Sequence, residues 1–284
     1  MTDWPDALRR TAEHAARYRQ ELGERPVVPP LDADRVRAEL GGPLPEESCD
    51  PDAVIDQLVA AVEPALVASA GPRYYGFVVG GALEAATRAD ILAAGWDQMA
   101  FNSISSPVAF LVEEIVGGWL KEALALPPGA SFGLVTGAQG ANTVALAAAR
   151  HRVLSEAAWD VEADGLAGAP AVRVLAGEER HATIDRSLRL LGLGANALEP
   201  VAAGGNGAID ADALARALEA GDGDPTIVCA QAGNVNTGAC DDLAAICELA
   251  HRHSAWVHVD GAFGLWAAAS PSKRHLVRGL EQAD

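Results

Sequence analysis

The stretch WVHVDGAFG, residues 256–264, decides the fold assignment because it shows how a buried strand ends. Three apolar residues, Trp256, Val257 and Val259, predict the strand. The strand ends on a carboxylate, Asp260, and small residues follow it. Ligands of α/β proteins bind in the crevice beyond the carboxyl ends of the strands. Asp260 therefore either closes a turn or caps a helix, or it presents a fixed negative charge to a bound group.

From about residue 131 the sequence alternates between short apolar runs and helical patterns. The runs FGLVT, VRVLA, TIVCAQ and WVHVD are typical of strands that are buried on both faces of a parallel sheet. Helices are predicted between them, over residues 142–157, 183–191, 210–220 and 241–253. This alternation predicts an α/β domain with a mostly parallel sheet and helices on both faces.

Residues 1–125 have a different pattern, in which helices are joined by loops rich in proline and glycine. Helices are predicted near Asp6–Leu22, Pro51–Ser69 and Ser106–Leu126. The sequence thus predicts two parts, a helical N-terminal segment over residues 1–125 and an α/β domain over residues 126–284.

The composition argues against several kinds of partner. The chain has 284 residues, half of them hydrophobic, and a net charge of -18, which disfavours nucleic acid and anionic membranes. No run approaches the roughly 20 apolar residues of a membrane span, and the N-terminus lacks the apolar core of a signal peptide. The four cysteines form no C-x-x-C pair. We therefore expect a soluble cytoplasmic protein with free thiols.

Two segments carry candidate ligand contacts ahead of the Asp260 strand. In SFGLVTGAQGANT, residues 131–143, a glycine turn opens a helix, and free backbone N–H groups there suit a phosphate. The segment matches neither G-x-G-x-x-G nor a P-loop, and it is otherwise an ordinary tight turn. In EERHATI, residues 178–184, His181 follows a predicted strand. His181 could stack on a planar ligand or transfer a proton, or it is an exposed loop histidine.

A third segment, TIVCAQAGNVNTG at residues 226–238, ends its strand in small and amide residues. Asn234, Asn236 and Thr237 could orient a ligand, or they could form the turn before a helix that Asp241 caps. Taken together, these strand ends describe a site for a flat, cationic heteroaromatic ring that carries a phosphate. Asp260 would keep a pyridine nitrogen protonated, since an opposite charge favours the charged form. Such a ring is the electron sink of pyridoxal 5′-phosphate (PLP).

At these positions the chain resembles the PLP-dependent group II decarboxylases, the family of aromatic-amino-acid and glutamate decarboxylases. The motifs that carry the resemblance are FNSISSPVAFLVEEIVGGWL, VTGAQGANTVALAAAR, RHATIDRSLRLLG, QAGNVNTGACDDL and HVDGAFGLWAAASP. The resemblance implies the fold-type-I PLP-dependent transferase-like large domain of an amino-acid decarboxylase. It also implies a homodimer in which residues 1–125 form the dimerisation segment.

The resemblance further implies roles for individual residues. His181 corresponds to the family's ring-stacking histidine and Asp260 to the partner of the pyridine nitrogen, and these two are the predicted catalytic residues. The other implied contacts are Gln139 and Gly140 with the phosphate through backbone N–H groups, Ala262 under the ring, Val235 beside the cofactor, and Gly80 with the substrate. Val235 stands where the family often has a threonine, so only an apolar contact is expected there.

The chain departs from the family in one respect, the lysine that binds PLP as a Schiff base. In the family this lysine follows the aspartate at a greater distance than the 24 residues between Asp260 and Asp284. Lys121 lies in a predicted helix away from the strand ends, and Lys273 has the setting of a surface lysine. We therefore expect this chain to be the N-terminal portion of a decarboxylase, a truncated chain that is inactive alone.

Other interpretations remain open from the sequence. A non-catalytic PLP-fold homodimer would also lack the lysine. A related PLP enzyme, such as an aldehyde synthase or an aldol-type lyase, would share every residue named above. A metal hydrolase could use His251, His253, His258 and Asp260, although that spacing does not match known ligand patterns and we expect no metal. The sequence does not indicate which amino acid is the substrate.

Overall fold

The computed structural model describes residues 3–79, 81–221 and 223–284, which divide into two compact units, one up to Asp97 and one from Gln98. The first unit is helical. Its α-helices are α1 (Trp4–Glu21), α2 (Ala33–Leu40), α3 (Pro51–Val62) and α4 (Glu84–Trp96). The first three helices begin at an aspartate whose side chain accepts a backbone N–H bond, which is a favoured way to satisfy the free N–H groups of a first turn.

The predicted helix Pro51–Ser69 is shorter in the structure. Helix α3 ends at Val62, and a 3₁₀ turn, Glu63–Ala65, follows it. Pro64 explains the difference, because proline has no N–H to continue the α-helical hydrogen bonds and its ring clashes with the preceding turn.

The second unit contains the sheet, as the sequence predicts. Its strands are β1 (Arg173–Gly177), β2 (Leu198–Val201), β3 (Thr226–Gln231) and β4 (Trp256–Asp260). They pair in parallel in the order β2-β1-β3-β4. Its α-helices are α5 (Pro107–Ala123), α6 (Ala138–Glu156), α7 (Val161–Asp164), α8 (Ala182–Leu190), α9 (Ala211–Glu219) and α10 (Leu243–Arg252).

Helices cover both faces of this sheet, which confirms the predicted fold class. Strand residues alternate between two apolar cores, so that Val174 packs with α6 and α8 while its neighbour Leu175 packs with α9 and α10. The first core includes Leu146, Leu154, Ile184, Leu188 and Ile227, and the second includes Leu214, Val228, Ile246 and Val257. On β4 the same alternation directs Trp256, His258 and Asp260 toward α6.

Two strand predictions were wrong. The run FGLVT, residues 132–136, forms no strand, because an extended apolar segment becomes a strand only beside a partner, and it pairs with none of the described residues. The strand β2 was missed, because its Pro200 argues against a central strand. Proline is tolerated here since β2 lies at the edge of the sheet.

Candidate active site at the carboxyl edge of the sheet

The parallel strands bring their carboxyl ends to one edge, and three predicted segments meet there. Asn142, in the first turns of α6, donates from Nδ2 to Asp260 Oδ2 at 2.9 Å and to Thr183 Oγ1 at 3.0 Å. Thr183 lies in α8, two residues after His181. The start of α6, the loop after β1 and the end of β4 therefore form one site, although FGLVT is not a strand.

Asp260 is half-buried, and each of its carboxylate oxygens accepts a hydrogen bond from a neutral donor. Oδ1 accepts from the backbone N–H of Ala262 at 3.1 Å, and Oδ2 accepts from Asn142. No ion pair to Asp260 is found among the residues that the structure describes. Its negative charge is thus held in place by dipoles and remains available to a cationic ligand.

His181 caps the start of α8 with its side chain, and its ring is exposed. Nδ1 accepts from the backbone N–H of Thr183 at 3.3 Å and lies 3.0 Å from Thr183 Oγ1. Because a backbone N–H points at Nδ1, that nitrogen acts as a hydrogen-bond acceptor and fixes the orientation of the ring. One face of a fixed imidazole ring can therefore meet a planar ligand.

The start of α6 has the features of an anion site. Its N-cap residue, Gly137, supplies no side-chain cap, so the first N–H groups of the helix, including those of Gln139 and Gly140, lack an intrahelical partner. A Cβ placed on Gly137 would meet nothing within 4 Å, so the space beside the turn is open. The Gln139 side chain turns inward, where Nε2 donates to Ser187 Oγ at 3.0 Å and the buried Oε1 has no partner.

The amide-rich turn after β3 has a structural role at Asn234. The Asn234 side chain is buried, and Oδ1 accepts from the backbone N–H groups of Asn236 and Thr237 at 2.9 and 3.1 Å. Its Nδ2 donates to the Glu179 carbonyl at 3.0 Å and so ties the turn to the loop that carries His181. Of the two roles left open for Asn234, the turn-forming one is correct. Val235, beside it, leaves its apolar side chain partly exposed.

The helix cap expected at Asp241 is also different in the structure. The cap of α10 is Asp242. Asp241 is buried and instead accepts from the backbone N–H groups of Gln231 at 2.7 Å and Ile209 at 2.8 Å. Burial raises the pKa of Asp241, and these two hydrogen bonds oppose the rise. Asp241 thus fixes the end of β3.

Sequence reasoning gave no role in the PLP site to Asn142 or Thr183 and named His258 only in the metal-hydrolase alternative. His258 is buried, and its Nε2 lies 2.9 Å from Asn142 Oδ1. Burial lowers the pKa of His258 to about 4, and the nearby Asp260 charge only partly opposes the shift. His258 is therefore neutral at pH 7. Its Nε2 donates to Asn142 Oδ1, because the Asn142 amide turns its Nδ2 toward the Asp260 carboxylate, which can only accept. The spacing H-x-D could have indicated that His258 and Asp260 share one face of the strand.

The remaining predicted residues are less informative. Ala262 is exposed and contributes its backbone N–H to Asp260. Gly80 lies outside the described residues. Lys121 donates to the carbonyls of Pro128 and Ala130, at 2.9 and 3.0 Å, and is thus held at the end of α5, while Lys273 is exposed.

A metal centre finds no support in the described part of the chain, where no three His, Cys, Asp or Glu side chains are grouped to hold an ion. The Cys229 thiol is also inert as a nucleophile, since burial raises its pKa to about 12. The small cavity lined by His181, Cys229 and Asp260 has a volume of about 10 Å³, room for roughly one water. A larger ligand would therefore lie on the open surface above Asp260.

These observations fit the groups that PLP presents. Its phosphate suits the uncapped start of α6, its ring nitrogen suits the Asp260 carboxylate, and its planar ring suits the exposed imidazole of His181. PLP also requires a lysine that binds it as a Schiff base, and neither Lys121 nor Lys273 supplies one at this site.

Comparison with known proteins identifies the family. Residues 36–284 match the model of the pyridoxal-dependent decarboxylase conserved domain, and the chain belongs to this family, whose cofactor is PLP. Tryptophan decarboxylase 1 of Oryza sativa subsp. japonica is 29% identical over 294 residues, which cover 98% of this chain and 56% of that protein. The aromatic-L-amino-acid decarboxylase of Bacillus atrophaeus is 28% identical over 270 residues, covering 94% of this chain and 54% of that protein.

Solved structures agree with this assignment. A crystal structure of Oryza sativa TDC with PLP superposes with a TM-score of 0.88 at 27% identity, over 99% of this chain and 62% of that one. The chain therefore corresponds to about half the length of the curated relatives it matches. The structure contains no helix, among the residues it describes, that is long and apolar enough to cross a membrane.

Proposed function

We propose that this chain is the N-terminal part of a PLP-dependent amino-acid decarboxylase, which converts an amino acid to an amine and CO2. One observation carries the proposal. The Asp260 carboxylate is held by neutral donors at the sheet edge that also contains His181 and the uncapped start of α6. The family membership and the relatives named above support it.

Each residue has a definite task in this proposal. Asp260 holds a proton on the ring nitrogen of the cofactor by its negative charge. The backbone N–H groups of Gln139 and Gly140 bind the phosphate, and His181 covers a face of the ring. Ala262 and Val235 supply apolar contacts, and Gly80 borders the substrate. When bound, PLP supplies the electron sink that accepts the electrons released as the carboxylate leaves.

We further propose that the lysine that binds the cofactor lies outside these 284 residues and that this chain alone does not turn over. The positions of Lys121 and Lys273 support this, since one is engaged with loop carbonyls and the other is on the surface. The alternative is a non-catalytic PLP-fold homodimer that never has a lysine. A related PLP lyase or aldehyde synthase would use the same residues.

The first substrates to test are aromatic amino acids, because the relatives include tryptophan and aromatic-L-amino-acid decarboxylases. Incubation of the native-length protein and PLP with L-tryptophan, L-tyrosine, L-DOPA and L-glutamate, followed by mass spectrometry of the products, tests the reaction. We expect an amine from at least one amino acid. An aldehyde product would indicate the related enzyme, and no product with tightly bound PLP would favour the non-catalytic alternative.

The homodimer, its dimerisation segment over residues 1–125 and the cytoplasmic location are also part of this proposal. In the second unit, the loop before α5 and α5 itself expose large apolar side chains, among them Phe101, Ile104 and Trp119. A second copy of the chain would cover them. The free cysteines and the net charge of -18 support a reducing, aqueous compartment. Sedimentation of the purified protein tests the dimer.

A further inference from the structure

A chain of hydrogen bonds under the site joins the two predicted catalytic residues. His258 Nε2 lies 2.9 Å from Asn142 Oδ1, and Asn142 Nδ2 donates to Asp260 Oδ2 at 2.9 Å. The same Nδ2 donates to Thr183 Oγ1 at 3.0 Å, and Thr183 Oγ1 lies 3.0 Å from His181 Nδ1. The two connecting residues and His258, which branches from Asn142, are buried, with Asn142 4% exposed and Thr183 and His258 6% exposed.

The direction of every bond in this chain is fixed by its neighbours. The Asp260 carboxylate can only accept, so the amide of Asn142 places Nδ2 toward it and Oδ1 toward His258. The neutral His258 ring must then donate from Nε2 to that oxygen. Both protons of Nδ2 are then used, on Asp260 and on Thr183. The Thr183 hydroxyl accepts a hydrogen bond from Asn142 and donates its own hydrogen to Nδ1 of His181. Nδ1 is an acceptor because it also accepts from the backbone N–H of Thr183.

The contact with Asp260 separates this arrangement from an ordinary buried asparagine. A buried amide with all its groups paired is expected in any protein interior. Here, however, Asn142 bonds to a charged group of the site. Among the described residues, the Asp260 carboxylate has two hydrogen-bond donors, the Asn142 side chain and the backbone N–H of Ala262. Asn142 lies 118 residues from Asp260 in sequence and on a different element, so it controls the rotation of the carboxylate independently of the strand.

We propose that Asn142 is a positioning residue that orients the Asp260 carboxylate toward the bound ligand, and that His258 fixes the orientation of the Asn142 amide. The inference rests on the proposed function, in which Asp260 faces a cationic ring nitrogen. Neither Asn142 nor His258 touches the ligand in the proposed arrangement. Both act through Asp260.

The ligand test uses deoxypyridoxine 5′-phosphate, which has the ring nitrogen and the phosphate of PLP but no aldehyde and therefore needs no lysine. Calorimetry gives its dissociation constant for the native-length wild-type protein and for its Asn142→Leu, Asp260→Ala and double variants. We expect Asn142→Leu to weaken binding about tenfold, the effect of one hydrogen bond to a charged group. In the Asp260→Ala background the same change should have an effect below about twofold, because residues that act as a unit are not additive.

Spectra and control variants distinguish positioning from a general structural effect. The ultraviolet absorption of the bound analogue reports protonation of its ring nitrogen, and we expect Asn142→Leu to shift it toward the neutral ring. His258→Gln keeps a neutral donor and should retain most of the affinity, whereas His258→Leu should resemble Asn142→Leu. The matched control is Ser187→Ala, a buried polar residue that contacts Gln139 and Thr143, which should lower stability and leave the spectrum unchanged.

A measurement without ligand keeps the inference separate from the proposed function. The ¹³C resonance of the Asp260 carboxyl group, assigned with Asp260→Asn, should move in Asn142→Leu and not in Ser187→Ala. An unchanged resonance, or equal losses of affinity from Asn142→Leu with and without Asp260, would overturn the inference. Failure of the wild-type protein to bind the analogue would refute the proposed function, while the resonance would still decide whether Asn142 positions Asp260.

Discussion

The second unit contains two regions that differ in whether the chain buries and hydrogen-bonds its own side chains. At the carboxyl edge of the sheet, Asn142, Thr183 and His258 are buried and joined by hydrogen bonds around Asp260. On α5 and the loop before it, Ile104 is 89% exposed and Trp119 is 67% exposed. At the sheet edge the chain holds the Asp260 carboxylate in place with its own side chains. The exposed apolar side chains of α5 and its preceding loop are instead those that a second copy would cover in the proposed dimer.

The largest expected effect concerns the charge itself. In the native-length protein, Asp260→Ala should lower the rate of decarboxylation by on the order of 10²–10³-fold, because the site loses the group that stabilises developing charge. The circular dichroism spectrum should be unchanged, since Asp260 lies at a strand end. Turnover within threefold of wild type would remove Asp260 from the mechanism. The isosteric Asp260→Asn keeps the shape of the side chain and removes its charge, so it separates the effect of the lost charge from that of the lost shape.

The interior that supports this edge can be compared directly with the exposed surface. Leu146→Ala removes a fully buried side chain from the core between α6 and the sheet and should lower the free energy of unfolding by about 3 kcal/mol. Leu111→Ala makes the same change on the exposed face of α5 and, at concentrations where the chain is dissociated, should cost less than about 0.5 kcal/mol. Urea titrations of both variants measure the difference. Similar losses would contradict the contrast between the two regions.

The low pKa of the buried His258 makes the free energy of unfolding depend on pH. Its pKa is about 4 in the folded protein and has the ordinary value of 6.5 in the unfolded chain. Between these values the unfolded state binds the extra proton, so the stability contributed by His258 is complete above pH 6.5 and is lost as the pH falls toward 4. The loss is at most about 3 kcal/mol.

Urea unfolding of wild type and His258→Gln between pH 7 and pH 4.5 isolates this contribution. The glutamine variant cannot take up the proton, so its stability should fall less steeply over that range. Parallel curves for the two proteins would show that His258 is not responsible for the dependence.

The smallest effect on stability is expected on the surface of α5. Trp119→Ser should change the free energy of unfolding of the chain by less than about 0.5 kcal/mol and should weaken self-association at least tenfold, measured by sedimentation. The matched Trp159→Ser removes a partly buried ring whose Nε1 donates to the Gly165 carbonyl at 2.8 Å, and it should lower stability without affecting association. If Trp119→Ser left self-association intact, the exposed face of α5 would not be the dimer surface.

Local patterns were sufficient to predict most of the fold. The strands β1, β3 and β4 lie where their apolar runs predict them, and the parallel arrangement follows from their alternation with helices. The errors have physical causes. Pro200 hid an edge strand, Pro64 shortened a helix, and the FGLVT run has no partner strand among the described residues.

The site was predictable only in part. His181 and Asp260 could be chosen because strand ends and a resemblance indicated them. The role of Asn142 could not be predicted, because its contacts join residues that are 41 and 118 positions apart and depend on how α6 packs on the sheet. His258 reads as one more strand residue until its burial and its bond to Asn142 are seen.

The position of the covalent bond to PLP tests whether the lysine of this enzyme lies outside these 284 residues and whether Asp260 binds the cofactor. The native-length protein is incubated with PLP, reduced with borohydride and digested, and the modified peptide is identified by mass spectrometry. We expect a modified lysine that is neither Lys121 nor Lys273, together with loss of PLP affinity in Asp260→Ala. Modification of Lys121 or Lys273 at one PLP per chain, with affinity unaffected by Asp260→Ala, would contradict this expectation.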